Sequence, residues 1–374
     1  MPNHQPSPEP TLSDHLRRLI QVSGPLTIDR YMAEALGNPK FGYYTTQNPI
    51  GAAGDFITAP EVSQIFGELI GLWCAETWQS LGSPSPLHWV EIGPGRGTLM
   101  RDALRAAGAL RAFRDCANVH LVETSPVLRE CQREALPDID VAWHDHFHQV
   151  PHGSTIVVAN ELFDALPIHQ FERTIRGWRE RMVDLDTGGD GFRFVLGPVG
   201  AAFALVPEAL REAPIGSVAE VSPASVSLMR NIAERVKHYG GAALVVDYGS
   251  LESRPRDTLQ AVINHGTHDV LIAPGSADLC AHVDFASLTQ TAEKSGADVW
   301  GPVLQGEFLE ELGIHTRASQ LKRAATADQA EEIDTAVERL TEPGQMGTLF
   351  KVMAIGSPGM RAPVGFAQSN SQTS

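Results

Sequence analysis

The stretch Trp89-Val90-Glu91-Ile92-Gly93-Pro94-Gly95-Arg96-Gly97-Thr98-Leu99-Met100 decides the fold of this chain. An apolar run over 87–92 predicts a strand, glycines follow at alternate positions, and apolar residues over 98–107 recur with helical spacing. A strand, a glycine turn and a helix together open a doubly wound α/β unit. Glycines suit the turn because it is tight and a ligand has to approach its bare backbone. The start of the helix adds free N–H groups and a partial positive charge.

The spacing of the glycines separates this turn from a dinucleotide site. A dinucleotide fingerprint reads G-x-G-x-x-G, whereas Glu91, Gly93, Gly95 and Gly97 form E-x-G-x-G-x-G with Pro94 inside the turn. This version looks like motif I of S-adenosylmethionine (SAM) methyltransferases. SAM has an amino-acid end, a sulfonium and a ribose, and it offers no pyrophosphate to the helix. The pattern therefore predicts that these five residues bind SAM, and a tight turn without a ligand is the alternative.

Polar residues end three further predicted strands. The run 118–123 ends on Glu123, the run 139–143 is followed by Asp145, and the run 155–159 is followed by Asn160 and Glu161. The carboxyl ends of parallel strands meet at one edge of an open α/β sheet, where ligands bind. We expect Glu123 to accept hydrogen bonds from the ribose hydroxyls and Asp145 to accept one from the adenine amino group.

Composition and charge narrow the classes of function. The chain has 374 residues, enough to bury a large core, and a formal net charge of −16. Phosphate binding requires a basic face, so we expect no nucleic-acid partner. The four cysteines form no C-x-x-C pair, which favours reduced thiols, and no apolar run is long enough to span a membrane. The polar, proline-rich residues 1–10 are expected to be neither a signal peptide nor a transit peptide.

Stretches rich in Gly, Pro and Ser predict the domain organisation. The expected segments are mobile tails over 1–10 and 357–374, a helical N-terminal region over 11–82, and a SAM-binding α/β domain over 83–356 with insertions at 168–222 and 250–283. The N-terminal region is expected to end in a single helix over 60–81, and residues 242–249 are expected to form a core strand of the α/β domain. Alternating residues in the first insertion predict an antiparallel sheet, whereas the second insertion has few apolar runs. A glycine-rich loop with Gly54 and Asp55 is either a lid over the cofactor edge or a plain surface loop.

Blocks of sequence along most of the chain carry a resemblance to a known family. They are Gly42–Tyr44, Gly54–Glu61, Phe66–Glu68, Val90–Met100, Val122–Pro126, Ala159–Pro167, Val246–Gly249, His282–Phe285 and Met346–Val352. On these blocks the chain resembles the MidA-type SAM-dependent methyltransferases. The resemblance implies an α/β fold with a Rossmann-like class I methyltransferase sheet and SAM as cofactor. Because mitochondrial members are arginine methyltransferases that assist assembly of respiratory complex I, it also implies a protein substrate. Two departures, at Asp257 and Cys280, lie in the second insertion.

An arginine acceptor sets requirements for its site. The guanidinium is a planar cation with five donors that stays protonated in solution, so its site needs carboxylates in bidentate reach. Glu161 and Asp164 are the candidates. Asn160 stands where amino-methylating enzymes usually carry the Asn or Asp of their motif. The alternative is that Glu161 and Asp164 cap the next helix.

Other polar residues have a functional and a structural interpretation. Asp55 either contacts the sulfonium end of SAM or the acceptor, or it stabilises a turn. His265, His282 and Asp284 either line the acceptor pocket or are hydrogen-bonded structural residues. The alternating histidines over 144–148 have no accompanying cysteine or second carboxylate cluster, so we expect a solvated strand end and no metal.

Three functions agree with these patterns. The first is a protein-arginine N-methyltransferase, the second is a non-catalytic assembly factor that keeps a SAM fold, and the third is a small-molecule methyltransferase. The expected partner is a protein substrate, with a core subunit of complex I as the specific case, and a homodimer is an open alternative. A bacterial source would place the protein in the cytoplasm, and a eukaryotic source would place it in the mitochondrial matrix.

Overall fold

The computed structural model describes residues 10–47, 51, 54, 57–200, 203–264 and 266–366. The chain divides into two units. Unit 1 comprises Met1–Gln47, Pro167–Ser222 and Arg254–Ala281, and unit 2 comprises Asn48–Leu166, Pro223–Ser253 and His282–Ser374. The N-terminal region expected over 11–82 is thus divided between the units. The first expected insertion lies in unit 1, and so does most of the second.

The structure has the following helices and strands. The helices are α1 Leu12–Ser23, α2 Ile28–Gly37, α3 Tyr43–Thr46, α4 Ala59–Val62, α5 Gln64–Ser80, α6 Thr98–Ala107, α7 Arg111–Cys116, α8 Pro126–Ala135, α9 Pro223–Tyr239, α10 Phe285–Ser295, α11 Gln305–Glu311, α12 Ile314–Lys322, α13 Ala327–Thr341 and α14 Met346–Leu349. The strands are β1 Leu26–Thr27, β2 Leu87–Ile92, β3 Ala117–Val122, β4 Val141–His144, β5 Thr155–Asn160, β6 His169–Thr174, β7 Gly177–Leu185, β8 Phe192–Val199, β9 Val218–Val221, β10 Gly241–Ser250, β11 Gln260–Ile263, β12 Gly266–His268, β13 Asp278–Cys280, β14 Val283–Asp284, β15 Asp298–Leu304 and β16 Phe350–Gly356. None of these helices is long and apolar enough to cross a membrane.

Unit 2 is built on a sheet with the strand order β15-β16-β10-β5-β2-β3-β4. The pairs from β10 to β4 are parallel, and β16 runs antiparallel to both of its neighbours. The chain passes from β2 outward to β4 and then returns to place β5 on the other side of β2, so the strand order reverses between β2 and β5. This arrangement confirms the predicted α/β fold, and the reversal creates a crevice at the carboxyl edge.

Both faces of this sheet are covered by helices. Alternate residues of β2 enter different cores, Leu87 and Trp89 on the face of α5 and α6, and Val90 and Ile92 on the face of α9 and α10. The near-continuous apolar runs of the sequence follow from burial on both sides. On the first face α5 approaches α6 so closely that a Cβ at Gly71 would lie 2.4 Å from a backbone oxygen of α6.

Two boundaries differ from the sequence-based expectation. The single helix predicted over 60–81 is broken at Ser63, whose backbone is extended and whose hydroxyl accepts a hydrogen bond from the N–H of Ile65 at 3.2 Å. The predicted tail over 357–374 is partly wrong, because Phe366 is buried and its ring centroid lies 5.4 Å from that of Phe308. Residues 1–9 and 367–374 lie outside the described part of the chain.

Unit 1 contains two small antiparallel sheets. The predicted sheet of the first insertion is present as β6, β7 and β8, and the sequence did not reveal that β1 and β9 join it. The second insertion forms a further sheet of order β12-β11-β13. It was not predicted because strands of three or four residues carry too little apolar alternation to be recognised.

A histidine between two carboxylates links α2, β6 and β7 within unit 1. Nδ1 of His169 lies 2.6 Å from Glu180, and its Nε2 lies 3.5 Å from Asp29. The hydrogen bond with Glu180 raises the pKa of His169, burial opposes this effect, and the charge of Asp29 adds to it. The stabilisation is therefore complete below the ordinary histidine pKa and is lost as the pH rises through the raised value of the folded state.

Replacing His169 by Gln is accordingly expected to lower the free energy of unfolding by on the order of 1 kcal/mol near pH 6. The deficit should shrink toward pH 9, because the stabilisation is lost as the pH rises through the raised pKa of the wild-type histidine. Thermal unfolding at pH 6, 7.5 and 9 measures this difference, with His315→Gln on the exposed side of α12 as the control. A deficit that stays constant across the series would contradict the ion-pair interpretation.

Candidate active site

The glycine turn after β2 adopts a backbone that side chains disfavour. The φ angles of Gly93, Gly95 and Gly97 are 68°, 52° and 81°. The N–H of Gly97 donates to the carbonyl of Pro94 at 2.8 Å, and α6 begins at the next residue. A Cβ at Gly93 would lie 2.7 Å from the side chain of Leu162, so this turn packs directly on the segment after β5. Only glycine combines these dihedrals with this packing.

Glu91 is the penultimate residue of β2 and directly precedes Ile92 and the glycine turn. Its side chain is 2% exposed, and burial raises its pKa to about 8, although a hydrogen bond from the N–H of Met100 opposes the shift. Its Oε2 is buried and has no hydrogen-bond partner within the described residues. Native structures rarely leave such an oxygen unpaired, and a ligand with N–H or O–H donors would satisfy it.

Glu123 follows β3 and is held by its neighbours. Its Oε1 accepts the N–H of Ser125 at 2.7 Å, and its Oε2 lies 3.4 Å from Nε2 of Gln132. Burial raises the pKa of Glu123, and these hydrogen bonds oppose the shift. Gln132, which sequence reasoning missed, also donates to the carbonyl of Gly95 at 2.7 Å and thereby joins the first two strand ends. The available signal was a polar residue on the buried face of α8.

Asp145 lies after β4 with a side chain that is 61% exposed. Its Oδ1 accepts a hydrogen bond from Nη2 of Arg129 at 2.8 Å, and Nε of the same arginine donates to the carbonyl of Glu123, also at 2.8 Å. One arginine thus joins the ends of β3 and β4. The contact of Asp145 with adenine stays a prediction.

The segment after β5 carries the candidate acceptor residues. Oε1 of Glu161 accepts hydrogen bonds from the N–H of Ala59 at 2.8 Å and from Nδ2 of Asn160 at 3.1 Å. The interpretation of Glu161 and Asp164 as caps of the next helix is wrong, because residues 161–168 form turns that lead into β6.

Two buried acceptors in this segment have no partner among the residues described. They are Oδ1 of Asn160 and Oδ1 of Asp164, and both side chains are 8% exposed. Burial raises the pKa of Asp164 to about 6, and a hydrogen bond from the Tyr248 hydroxyl opposes this shift. Burial raises the pKa of Glu161 to about 7, the hydrogen bond from Ala59 opposes it, and the charge of Asp164 adds to it. Unpaired acceptors beside partly ionised carboxylates favour a cationic ligand with several donors.

The remaining predicted residues have different surroundings. The N–H of Gly54 donates to the carbonyl of Gly51 at 2.8 Å. The ring of His282 packs edge-on against Tyr248 with a centroid distance of 5.3 Å, so it contacts a neighbour of Asp164. Asp284 caps α10 through the N–H of Ser287 at 3.0 Å and accepts from Ser253 at 2.6 Å. Both of its oxygens are thus used, and its contact with an acceptor stays a prediction. Asp55 and His265 lie outside the described residues.

The histidines form a hydrogen-bonded row across the sheet. Nδ1 of His88 lies 2.9 Å from Nε2 of His120, whose Nδ1 lies 3.0 Å from Nε2 of His144. His146 and His148 stack on each other. Within the described chain, the group with metal-ligand proximity is the ion-paired cluster around His169. The contacts of His169 with Glu180 at 2.6 Å and with Asp29 at 3.5 Å bring these three residues together.

An acidic cavity of about 540 Å³ opens in unit 2 beside the glycine turn. Its lining includes Glu61, Glu331, Glu332 and Arg339. Glu61 accepts the hydroxyl of Thr98, the first residue of α6, at 2.5 Å. The positive charge of Arg339, one of the lining residues, also opposes the rise in the pKa of Glu161.

Comparison with known proteins decides the family. A family model described as "Putative S-adenosyl-L-methionine-dependent methyltransferase" matches residues 69–303. The chain belongs to this family. The Drosophila melanogaster protein arginine methyltransferase NDUFAF7 homolog, mitochondrial, is 39% identical, and the match covers 94% of this chain and 86% of that protein. The human protein arginine methyltransferase NDUFAF7, mitochondrial, is 38% identical, with coverage of 96% and 86%.

Solved structures support the same assignment for this methyltransferase. A Burkholderia thailandensis protein bound to S-adenosyl-homocysteine matches with a TM-score of 0.82 and 29% identity over 96% of this chain and 94% of that chain. A native structure from the same organism matches with a TM-score of 0.81 and 30% identity over 96% and 94%. The predicted class of enzyme and the predicted cofactor SAM are confirmed. The relatives are mitochondrial by name, so they give no support to the cytoplasmic location expected for a bacterial source.

For this methyltransferase, Glu123→Ala is expected to weaken binding of SAM by about 1.5–3 kcal/mol, because hydrogen bonds from the ribose diol to a carboxylate are lost. Titration calorimetry with S-adenosyl-homocysteine measures the change. Glu130→Ala, which removes an exposed carboxylate from α8, is the matched control. Equal affinity of wild type and Glu123→Ala would show that the ribose lies elsewhere.

Proposed function

We propose that this methyltransferase methylates arginine side chains of a protein, and that its acceptor is a core subunit of respiratory complex I. The observation that carries the arginine assignment is a pair of buried oxygens beside Glu161, on Asn160 and Asp164, that have no hydrogen-bond partner in the described part of the chain. A guanidinium has five N–H donors in a plane, so one ligand can satisfy these oxygens and pair with a carboxylate. The names of the curated relatives support the same acceptor.

The surrounding charges support a cationic substrate. The cavity beside the glycine turn is lined by Glu61, Asp328, Glu331 and Glu332 against a single arginine among its lining residues. An acidic entrance raises the local concentration of a cation. It also disfavours anionic small molecules, which separates this proposal from many small-molecule methyltransferases.

Each residue of the proposed site has a separate task. SAM supplies an electrophilic methyl group, and transfer forms the N–C bond as the S–C bond breaks. Glu161 pairs with the guanidinium and fixes the angle of approach, while Asn160 and Asp164 accept from the remaining N–H groups. The acceptor nitrogen loses one proton on methylation, and Glu161, with a pKa of about 7, is suited to receive it.

Transfer of labelled methyl groups tests this proposal against the two alternatives. Purified protein is incubated with methyl-labelled SAM and a lysate from cells that lack it, and the labelled material is separated by size and hydrolysed. Methylarginine in a protein fraction supports the proposal. Label in small molecules would favour a small-molecule enzyme, and binding of SAM without transfer would favour a non-catalytic assembly factor.

Peptide mapping of the labelled protein tests the complex I assignment separately. The expected result is a single methylated arginine in a complex I subunit, and label in an unrelated protein would contradict that part of the proposal. A homodimer as the alternative to a monomer, and a location in the mitochondrial matrix for a eukaryotic source, are further parts of the proposal. Analytical ultracentrifugation and cell fractionation test them.

A further inference from the structure

Asp247, in the second half of the central strand β10, is a carboxylate that has no role in the proposed mechanism. It is fully buried. Its Oδ2 accepts hydrogen bonds from three successive backbone N–H groups after β5, those of Leu162 at 3.1 Å, Phe163 at 2.8 Å and Asp164 at 3.3 Å. Its Oδ1 accepts from the N–H of Tyr248 at 2.9 Å. Both oxygens are therefore occupied by backbone donors.

The segment that Asp247 holds begins with a residue in an unfavourable conformation. Glu161 has a φ of 49°, in the left-handed region that residues other than glycine rarely adopt. Such a conformation persists only where the surroundings determine it fully. The N–H of Glu161 donates to the carbonyl of Val246 at 2.9 Å, and the next three N–H groups donate to Asp247. Val246 and Asp247 of β10 thus hold the backbone of residues 161–164 through four hydrogen bonds.

We propose that Asp247 is a positioning residue for methyl transfer, which holds Glu161 in its left-handed conformation and thereby aims the side chain of Glu161. The proposal rests on the proposed function, because Glu161 is the group that Asp247 positions. The two charged groups that act on Asp247 are the acidic residues of the proposed acceptor site. Burial and the charges of Asp164 and Glu161 raise the pKa of Asp247. Its register partner Lys351 on β16 instead donates to the carbonyls of residues 348 and 349.

Asp247→Asn tests this role because it keeps the shape but replaces one accepting oxygen by an NH₂ group. The expected result is an affinity for SAM within about twofold of wild type and a kcat reduced about tenfold. Combining it with Glu161→Gln should cause no further loss, because Asp247 acts through Glu161. The matched control is Asp298→Asn. Asp298 also accepts a backbone N–H, from Gly359 at 2.7 Å, but it lies at the start of β15, and kcat should not change.

The outcomes separate this inference from the function on which it rests. A wild-type kcat in Asp247→Asn, or the same loss with and without Glu161→Gln, overturns the positioning role. Full activity of Glu161→Gln refutes the role of Glu161 on which this inference rests, whereas a wild-type enzyme that methylates no arginine refutes the proposed function itself. If Asp247→Asn does not fold, amide hydrogen exchange of the wild type shows whether the backbone of residues 162–164 is held in place. Slow exchange at residues 162–164 supports the role, and exchange as fast as in exposed loops overturns it.

Discussion

Glu161→Gln is expected to leave the affinity for SAM unchanged and to slow methyl transfer on the order of 10²-fold or more. The amide oxygen can still accept the N–H of Ala59 and the amide of Asn160, which lie at 2.8 Å and 3.1 Å from the carboxylate oxygen. The backbone should therefore keep its conformation. In the proposed mechanism the variant loses the charge that pairs with the guanidinium and the group that takes its proton, so transfer slows while the cofactor still binds.

The pH dependence gives this prediction a second readout. Burial raises the pKa of Glu161 to about 7, so the wild-type rate should rise as the pH passes this value, and Glu161→Gln should lack that rise. An acid with a raised pKa destabilises the fold when it ionises, so the neutral variant should melt no lower than wild type above pH 7. Initial rates and thermal unfolding from pH 6 to 9 measure both effects.

Glu310→Gln, an exposed change on α11, is the control for this series. A Glu161→Gln enzyme that methylates at the wild-type rate would show that this carboxylate takes no part in transfer. A variant that no longer binds S-adenosyl-homocysteine would place Glu161 in contact with the cofactor.

Gly95→Val is expected to abolish detectable binding of SAM and S-adenosyl-homocysteine, a loss of about 100-fold or more. The backbone at Gly95 is left-handed, with a φ of 52°, and a β-branched residue there costs about 1–3 kcal/mol. The added side chain would also stand where the ligand has to approach the backbone. The carbonyl of Gly95 accepts from Gln132, which contacts Glu123, so a displaced turn would disturb the ribose site as well.

Titration calorimetry with S-adenosyl-homocysteine measures this loss, and circular dichroism checks that the variant is folded. Gly82→Val is the matched control, because Gly82 has a φ of 83° and no atom within 4 Å of its missing Cβ. It reproduces the backbone strain outside the site. Undiminished affinity of Gly95→Val would remove the glycine turn from the cofactor site.

Secondary structure was predictable where a short stretch of sequence contained the hydrophobic pattern that determines it. The strands β2, β3, β5 and β10 are buried on both faces and read as apolar runs, and their predicted bounds agree with the structure within one residue. The strand β4 was predicted two residues early, because Ile139 and Asp140 continue the alternation without pairing. The division into two units could not be predicted from the sequence, because unit 1 is assembled from three separate segments of the chain.

The cofactor half of the candidate site was determined by local sequence. The glycine turn, the acid before it and the helix after it lie within one short stretch, so their order and spacing could be read directly from the sequence. The acceptor half was decided only by tertiary structure. Glu161 meets Ala59 across 102 positions of sequence, and Asp247 meets Leu162 across 85. Those contacts depend on the register that places Asn160 beside Val246, and register is a property of paired strands that neither strand contains alone.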